Sequence, residues 1–344
     1  MRAIRPGDRG DEVADVQTRL ASLGHVVDPR EVASREFGPS TEAAIRAFQQ
    51  ERSLLVDALV GPATWQELVE ASYSLGDRAL YLRSPAMRGD DVRALQDRLD
   101  VLGFDPGRSD GIFGAQTDSA VRDFQRNVGM QVDGIVGATT IEALARLRPP
   151  GPGPGRANVR ESESLRASGS LSGRTVAIDP GHGPGDPGGK GPSGSQEHEL
   201  TLALSRALSG ELRSAGGNVV LLREAGEDPG IDERVERTNA SDADALISLH
   251  LNSHSDPGAD GASVYYFGRL GTHSVLGQRL AELVLNELTA RLDVRDGRTH
   301  PKGFALLRET PMPAIQVEPC FISNPEEERR LGDEGFRLEV ARAI

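Results

Sequence analysis

The chain has 344 residues, of which 37% are hydrophobic and 26% are charged, and its formal net charge at pH 7 is -13. A chain of this length is too long for one compact core, so two or three domains are expected. The acidic balance argues against a nucleic-acid binder, which needs a cationic surface. No apolar run in the sequence approaches the about 20 residues that a transmembrane helix requires.

The first half of the chain contains a duplicated segment. The shared stretches are Gly10–Gly24 with Gly89–Gly103, and Phe37–Thr64 with Phe113–Thr140. Apolar residues recur within each copy at helical spacing, as in the stripe formed by Val92, Leu95 and Leu99. The duplication therefore predicts two small all-α domains of three helices each, over residues 5–75 and 82–147.

The turns of this repeat are its most specific part. With the turns Asp110–Gly114 and Asp133–Gly137, the second copy resembles the three-helix peptidoglycan-binding domain of bacteria. The first copy departs from that pattern at Arg35, Glu36 and Ala58, which leaves ligand binding by this copy open. The alternative interpretation is that both bundles are spacers or modules that dock other proteins.

A change of composition follows the repeats. Residues 148–173 are rich in Pro, Gly and Ser and are predicted to form an extended or mobile linker. From residue 174 onward, strands alternate with helices. The predicted strands are 176–178, 219–222, 245–249 and 314–317, and the predicted helices lie near 199–214, 231–240 and 273–292. This alternation indicates an α/β domain over residues 174–344, with a mainly parallel sheet flanked by helices.

Histidine and glutamate side chains follow three of the predicted strands. His182, His250 and Glu318 each come at or after a strand end, and Glu197 comes from the polar loop before the next helix. Because parallel strands place their carboxyl ends at one edge, we expect these residues to meet in one cleft. Two histidines and a carboxylate match a catalytic zinc site, and a second carboxylate can move protons beside it.

Other residues compete for these roles. Glu199 is an alternative to Glu197, and a structural hydrogen-bonding role is the alternative for the two histidines. Arg234 is interpreted as a structural residue at a junction between helix and sheet. The remaining histidines of this half are interpreted as surface residues or neighbours of the site; they are His198, His254, His273 and His300.

Four segments in order resemble the zinc-dependent N-acetylmuramoyl-L-alanine amidase family. They are Ile178–Gly183, Glu197–Leu202, Ser248–Ser253 and Val317–Asn324. Carried over position by position, the resemblance implies that His182, Glu197 and His250 bind Zn²⁺ and that Glu318 is the catalytic carboxylate. It names no substrate-binding residue. The chain departs from the family at Thr201, where Asn is usual, and at Cys320, where Gly is usual.

The resemblance implies a zinc hydrolase that cuts the amide bond between the lactyl group and L-alanine in peptidoglycan. Its partners would be peptidoglycan or its muramyl-peptide precursors, with no nucleic acid and no transmembrane segment. The alternative is a catalytically weak or inactive cytoplasmic regulator of peptidoglycan synthesis, which would bind cell-wall synthesis proteins. The two-repeat arrangement resembles the actinobacterial CwlM group, whose proposed role is of that kind. No leader sequence follows Met1, so a cytoplasmic location is expected if Met1 is the native start, and a cell-wall location if a leader was removed.

Overall fold

The computed structural model describes residues 3–147 and 170–344. The chain divides into two compact units, Met1–Glu161 and Ser162–Ile344. The predicted linker 148–173 lies outside the described residues except for its last four positions. Among the described helices, none has the length and apolar content needed to cross a membrane.

The N-terminal unit is helical. Its helices are α1 (Asp11–Ser22), α2 (Pro29–Ser34), α3 (Pro39–Glu51), α4 (Pro62–Ala71), α5 (Asp90–Val101), α6 (Ala115–Asn127) and α7 (Ala138–Arg146). The second copy has the three predicted helices, whereas the first copy contains the additional short helix α2. Pro29 supplies the helical φ at the start of α2, and the Asp28 side chain accepts a hydrogen bond from the Arg30 backbone N–H. Each copy encloses its own apolar core.

A buried glutamine holds the turn before the last helix of each copy. In the second copy, Gln125 Nε2 donates to Asp133 Oδ1 at 2.7 Å, and its Oε1 accepts from the Gly134 N–H at 2.9 Å. In the first copy, Gln49 Oε1 accepts from the Ala58 N–H at 2.9 Å. Ala58 keeps the left-handed backbone of Gly134, with φ of 66° against 73°. The sequence departure at Ala58 therefore preserves the turn.

The C-terminal unit is an α/β domain. Its strands are β1 (Thr175–Pro180), β2 (Asn218–Leu221), β3 (Ala245–Leu249), β4 (Ala262–Arg269), β5 (Thr272–His273), β6 (Asp296–Lys302) and β7 (Ala314–Glu318). Its helices are α8 (Glu197–Ser214), α9 (Ile231–Ala240), α10 (Val275–Arg291), α11 (Ala305–Arg308), α12 (Pro325–Gly332) and α13 (Glu334–Ala343).

The sheet has the strand order β2-β1-β3-β7-β4-β5, and β6 pairs with β4. Strands β2, β1, β3 and β7 are mutually parallel, whereas β4 runs antiparallel to β7 and β5 and parallel to β6. This arrangement confirms the predicted α/β class with a mainly parallel sheet. The four predicted strands and three predicted helices are present, while β4, β5 and β6 had not been predicted.

Apolar cores cover both faces of the sheet. Along β1 and β3, Ile178 and Leu249 belong to one core, whereas Ala177 and Leu246 belong to the other. Burial on both faces explains why these strands are continuous apolar runs rather than alternating ones. The central strands β1, β3 and β7 are neighbours, so their carboxyl ends lie side by side at one edge.

Candidate metal centre and active site

The sheet topology brings the predicted site residues to one edge. His182 follows β1, His250 follows β3, and Glu318 ends β7. The strand ends are tied together, since the Gly181 N–H donates to the Leu249 carbonyl at 2.9 Å and the His250 N–H donates to the Val317 carbonyl at 3.0 Å. Parallel neighbouring strands thus bring together residues that are far apart in sequence.

His182, Glu197 and His250 form one cluster. The distance between His182 Nε2 and Glu197 Oε2 is 3.3 Å, and that between His250 Nδ1 and Glu197 Oε1 is 3.1 Å. Candidate ligand atoms of the three residues all lie within 4.8 Å of one another. Ligands about 2.0–2.1 Å from a tetrahedral zinc ion are separated by about 3.3 Å. The donor types therefore fit a zinc ion, and each histidine nitrogen lies near this spacing from one oxygen of Glu197.

Glu197 is fixed by backbone donors on both of its oxygens. The Gly189 N–H donates to Oε2 at 2.7 Å, and the Leu251 N–H donates to Oε1 at 2.8 Å. Burial favours the protonated form of Glu197, but its hydrogen bonds with the two histidines hold its pKa well below the usual range. Glu197 is therefore a buried, ionised carboxylate, whereas the competing Glu199 is exposed and outside the cluster.

Buried arginines hold the backbone that carries His182. Arg234 Nη2 donates to the His182 carbonyl at 2.6 Å, and its Nη1 donates to the Pro180 carbonyl at 2.8 Å and forms an ion pair with Asp179. Arg223 Nε donates to the same Pro180 carbonyl at 3.2 Å. His182 has a left-handed φ of 60°, which is uncommon for a residue other than Gly. The structural role predicted for Arg234 is therefore specific: this side chain orients the backbone of a candidate ligand.

Asp186 contacts the other ring nitrogen of His182 and was missed in the sequence analysis. His182 Nδ1 lies 3.0 Å from Asp186 Oδ2, which leaves Nε2 facing Glu197. Carboxylates in this position fix the tautomer and orientation of metal-binding histidines. The sequence feature that could have indicated this contact is an acidic residue four positions after the histidine.

The loop before Glu197 is anchored to α12. Glu328 accepts hydrogen bonds from the Ser193 N–H at 2.9 Å, from the Ser193 hydroxyl at 2.5 Å and from the Ser195 N–H at 3.1 Å. The Gly191 Cα lies so close to this carboxylate that an added Cβ would be 2.1 Å from Glu328 Oε1. One buried carboxylate therefore organises the segment that leads into α8.

Glu318 lies close enough to the cluster for electrostatic interactions with His250 and Glu197. Burial raises the pKa of its carboxyl, while the charge of His250 and hydrogen bonds from Gln316 and Tyr265 act in the opposite direction. The site thus combines three candidate ligands with a fourth residue, a half-buried carboxyl suited to proton transfer.

Comparison with known proteins identifies the family. The family model described as N-acetylmuramoyl-L-alanine amidase matches residues 176–344. The chain is 39% identical to N-acetylmuramoyl-L-alanine amidase CwlM of Mycobacterium tuberculosis, over 99% of this chain and 87% of that protein. The chain belongs to the N-acetylmuramoyl-L-alanine amidase family. A putative peptidoglycan binding domain matches residues 9–68 and 88–144, which are the two repeats.

Other N-acetylmuramoyl-L-alanine amidases are similar to about half of this chain. AmiC of Neisseria meningitidis is 30% identical, over 49% of this chain and 50% of that protein. The solved structure of amidase AmiC2 of Nostoc punctiforme is 32% identical and covers 50% of this chain and 94% of that one, with a TM-score of 0.47. Membership of this family favours the amidase function over the regulatory alternative.

The two residues at which the chain departs from the family pattern are both buried. Cys320 is fully buried in the core of the amidase unit, where burial raises the pKa of its thiol. Thr201 is also buried, and its hydroxyl donates to the Gly181 carbonyl at 2.9 Å. Neither of these side chains belongs to the metal-ligand cluster among the described residues. The four remaining histidines of the unit likewise lie outside the cluster.

Proposed function

We propose that the C-terminal unit is a zinc-dependent hydrolase of the amide bond between the lactyl group of N-acetylmuramic acid and L-alanine in peptidoglycan. His182, Glu197 and His250 would hold the zinc ion, and Glu318 would be the catalytic carboxylate. The cluster of two imidazoles and an ionised carboxylate, with ligand atoms within 4.8 Å of one another, carries this proposal.

Glu318 performs the proton transfers in this mechanism. Zinc, when bound, supplies a Lewis acid that polarises the amide carbonyl and lowers the pKa of water. Glu318 accepts a proton from the attacking water and then delivers it to the leaving amine of L-alanine. Its surroundings suit this exchange, because burial raises the pKa of the carboxyl and so favours its protonated form.

The repeats would bind peptidoglycan or its muramyl-peptide precursors. We propose the boundaries 5–75 and 82–147 for these domains and 174–344 for the catalytic domain. The turn of the first copy supports a ligand-binding role for both copies, since Ala58 has the same left-handed backbone conformation as Gly134. Spacer and protein-docking roles remain the alternatives for these bundles.

Digestion of purified muropeptides tests the chemistry. The zinc-loaded chain is expected to release peptides with a free L-alanine amino terminus, which mass spectrometry identifies. Glu318→Gln is expected to bind zinc normally and to lower the rate by about 100- to 10,000-fold, the usual range for general acid–base catalysis. A zinc-loaded wild-type chain that leaves muropeptides intact between about pH 6 and 8, where such catalysts operate, would favour the regulatory function instead.

A further inference from the structure

The carboxylate of Glu318 has a hydrogen-bond donor on each of its two oxygens. The Tyr265 hydroxyl donates to Oε2 at 3.1 Å, and Gln316 Nε2 donates to Oε1 at 2.9 Å. We propose that Tyr265 and Gln316 are positioning residues, which hold this carboxylate in the orientation needed for proton transfer. The inference deepens the proposed function and rests on its assignment of Glu318.

The register of two antiparallel strands creates this arrangement. On β4 and β7, Ser263 pairs with Glu318 and Tyr265 pairs with Gln316. Residues two apart on a strand point to the same face, so Tyr265 and Glu318 are diagonal neighbours on one face of the sheet. Diagonal neighbours are within reach of an aromatic side chain. The contact therefore follows from the sheet itself and does not depend on a loop conformation.

Tyr265 is itself held in place by aromatic neighbours. Its ring centroid lies 5.6 Å from that of Phe304 and 5.6 Å from that of His300. Burial and the charge of Glu318 raise the pKa of the Tyr265 hydroxyl, so this group stays protonated and remains a donor at neutral pH. A packed ring with a protonated hydroxyl is suited to fix a carboxylate oxygen.

Three titratable groups act on Glu318 in addition to the hydrogen bonds from Tyr265 and Gln316. They are His250 and Glu197 at the metal centre and Lys302 on β6. Burial raises the pKa of Glu318, whereas the charge of His250 and the two hydrogen bonds lower it. Because the hydrogen bond from Tyr265 lowers the pKa of Glu318, loss of this bond is expected to raise that pKa. A displaced carboxylate and a raised pKa are thus the two consequences to measure.

Tyr265→Phe tests the proposal, because it deletes the hydroxyl and keeps the ring. For muropeptide cleavage by the zinc-loaded full chain, kcat is expected to fall roughly 10- to 100-fold, as for loss of a hydrogen bond to a charged group. KM should stay unchanged, and the acidic limb of the pH profile should move to higher pH. Tyr266→Phe is the matched control. The Tyr266 ring lies in the apolar core on the opposite face of β4, and its loss of a hydroxyl should change neither kcat nor the profile.

A titration that needs no turnover gives a second readout. The side-chain carboxyl of Glu318 is followed by ¹³C NMR in the zinc-loaded chain and assigned by its absence in Glu318→Gln. Both Tyr265→Phe and Gln316→Leu should raise the pKa of this carboxyl. Unchanged titration in both variants would overturn the proposal, as would a Tyr265→Phe enzyme with wild-type kcat and pH profile. A wild-type chain without cleavage would instead count against the proposed function, and the titration would still decide the role of Tyr265.

Discussion

At the scale of single residues, the zinc assignment chooses Glu197 over Glu199, which lies two positions further along α8. Glu197 is buried between the two histidines, whereas Glu199 is exposed. Glu197→Gln should weaken zinc binding by more than about 100-fold, beyond the loss typical of residues that only support a ligand. Glu199→Gln should bind zinc as the wild type does. Chelator competition measures both affinities, and the reverse result would move the ligand to Glu199.

His182 makes zinc binding depend on pH. Burial opposes its charge, but the hydrogen bonds and charges of Glu197 and Asp186 raise its pKa to about 9. In the metal-free protein His182 is therefore protonated at pH 7, whereas a zinc ligand must be a neutral imidazole. Zinc affinity should strengthen by about tenfold per pH unit between about 7 and 9 and then level off.

Calorimetry in two buffers of different ionisation enthalpy measures the protons released on zinc binding. At pH 7 we expect at least one proton per zinc ion bound. The same binding enthalpy in both buffers, together with a zinc affinity that does not change with pH, would show that His182 loses no proton on zinc binding. That result would contradict its role as a ligand.

The clustering of the candidate ligands could be predicted from sequence, because each lies in a short motif at a strand end or a helix start. Their supporting residues could not be predicted in the same way. Asp186 lies in a Gly- and Pro-rich loop without periodicity, and its contact with His182 depends on how that loop folds back. Tyr265 lies on β4, a strand that had not been predicted. Its proximity to Glu318 depends on the register between β4 and β7 and could not be predicted from the sequence.

At the scale of secondary-structure elements, the central strands could be predicted from the sequence because they are buried. Strands β1, β3 and β7 are covered on both faces and are therefore short apolar runs that are recognisable in the sequence. Strand β6 contains Pro301 and pairs only with β4, and most of its residues are partly exposed. It is an edge strand with no apolar alternation to reveal it. Helix α2 is similarly short and contributes no buried residue.

The anchoring of the loop before α8 gives a prediction at this scale. Because Glu328 binds Ser193 and Ser195, Glu328→Ala should loosen the segment that positions Glu197 and weaken zinc binding by about 10- to 100-fold. Glu326→Ala is the matched control on α12, since Glu326 is exposed and forms an ion pair with Arg329 on the same helix. Chelator competition distinguishes the two variants. Equal zinc affinity in both would mean that the loop holds Glu197 without this anchor.

At the scale of the whole molecule, the chain contains two repeats of the peptidoglycan-binding type and one amidase unit. The duplication, the two turns and the four ordered segments were sufficient to predict this organisation from the sequence. The turns could be recognised because left-handed backbone positions favour Gly, as at Gly111 and Gly134. The first copy was harder to interpret, because Arg35 and Ala58, instead of Gly, occupy these left-handed positions.

Zinc titration of the metal-free chain tests the central claim most directly. The chelator-treated protein is mixed with increasing zinc, and release of L-alanine-bearing peptide from muropeptides is measured at each addition. Activity should be absent without metal, rise in proportion to zinc, and reach its plateau at one zinc ion per chain, the stoichiometry of a single site with three protein ligands. Full cleavage by the metal-free chain, or no cleavage at any zinc level, would contradict a catalytic zinc centre at His182, Glu197 and His250.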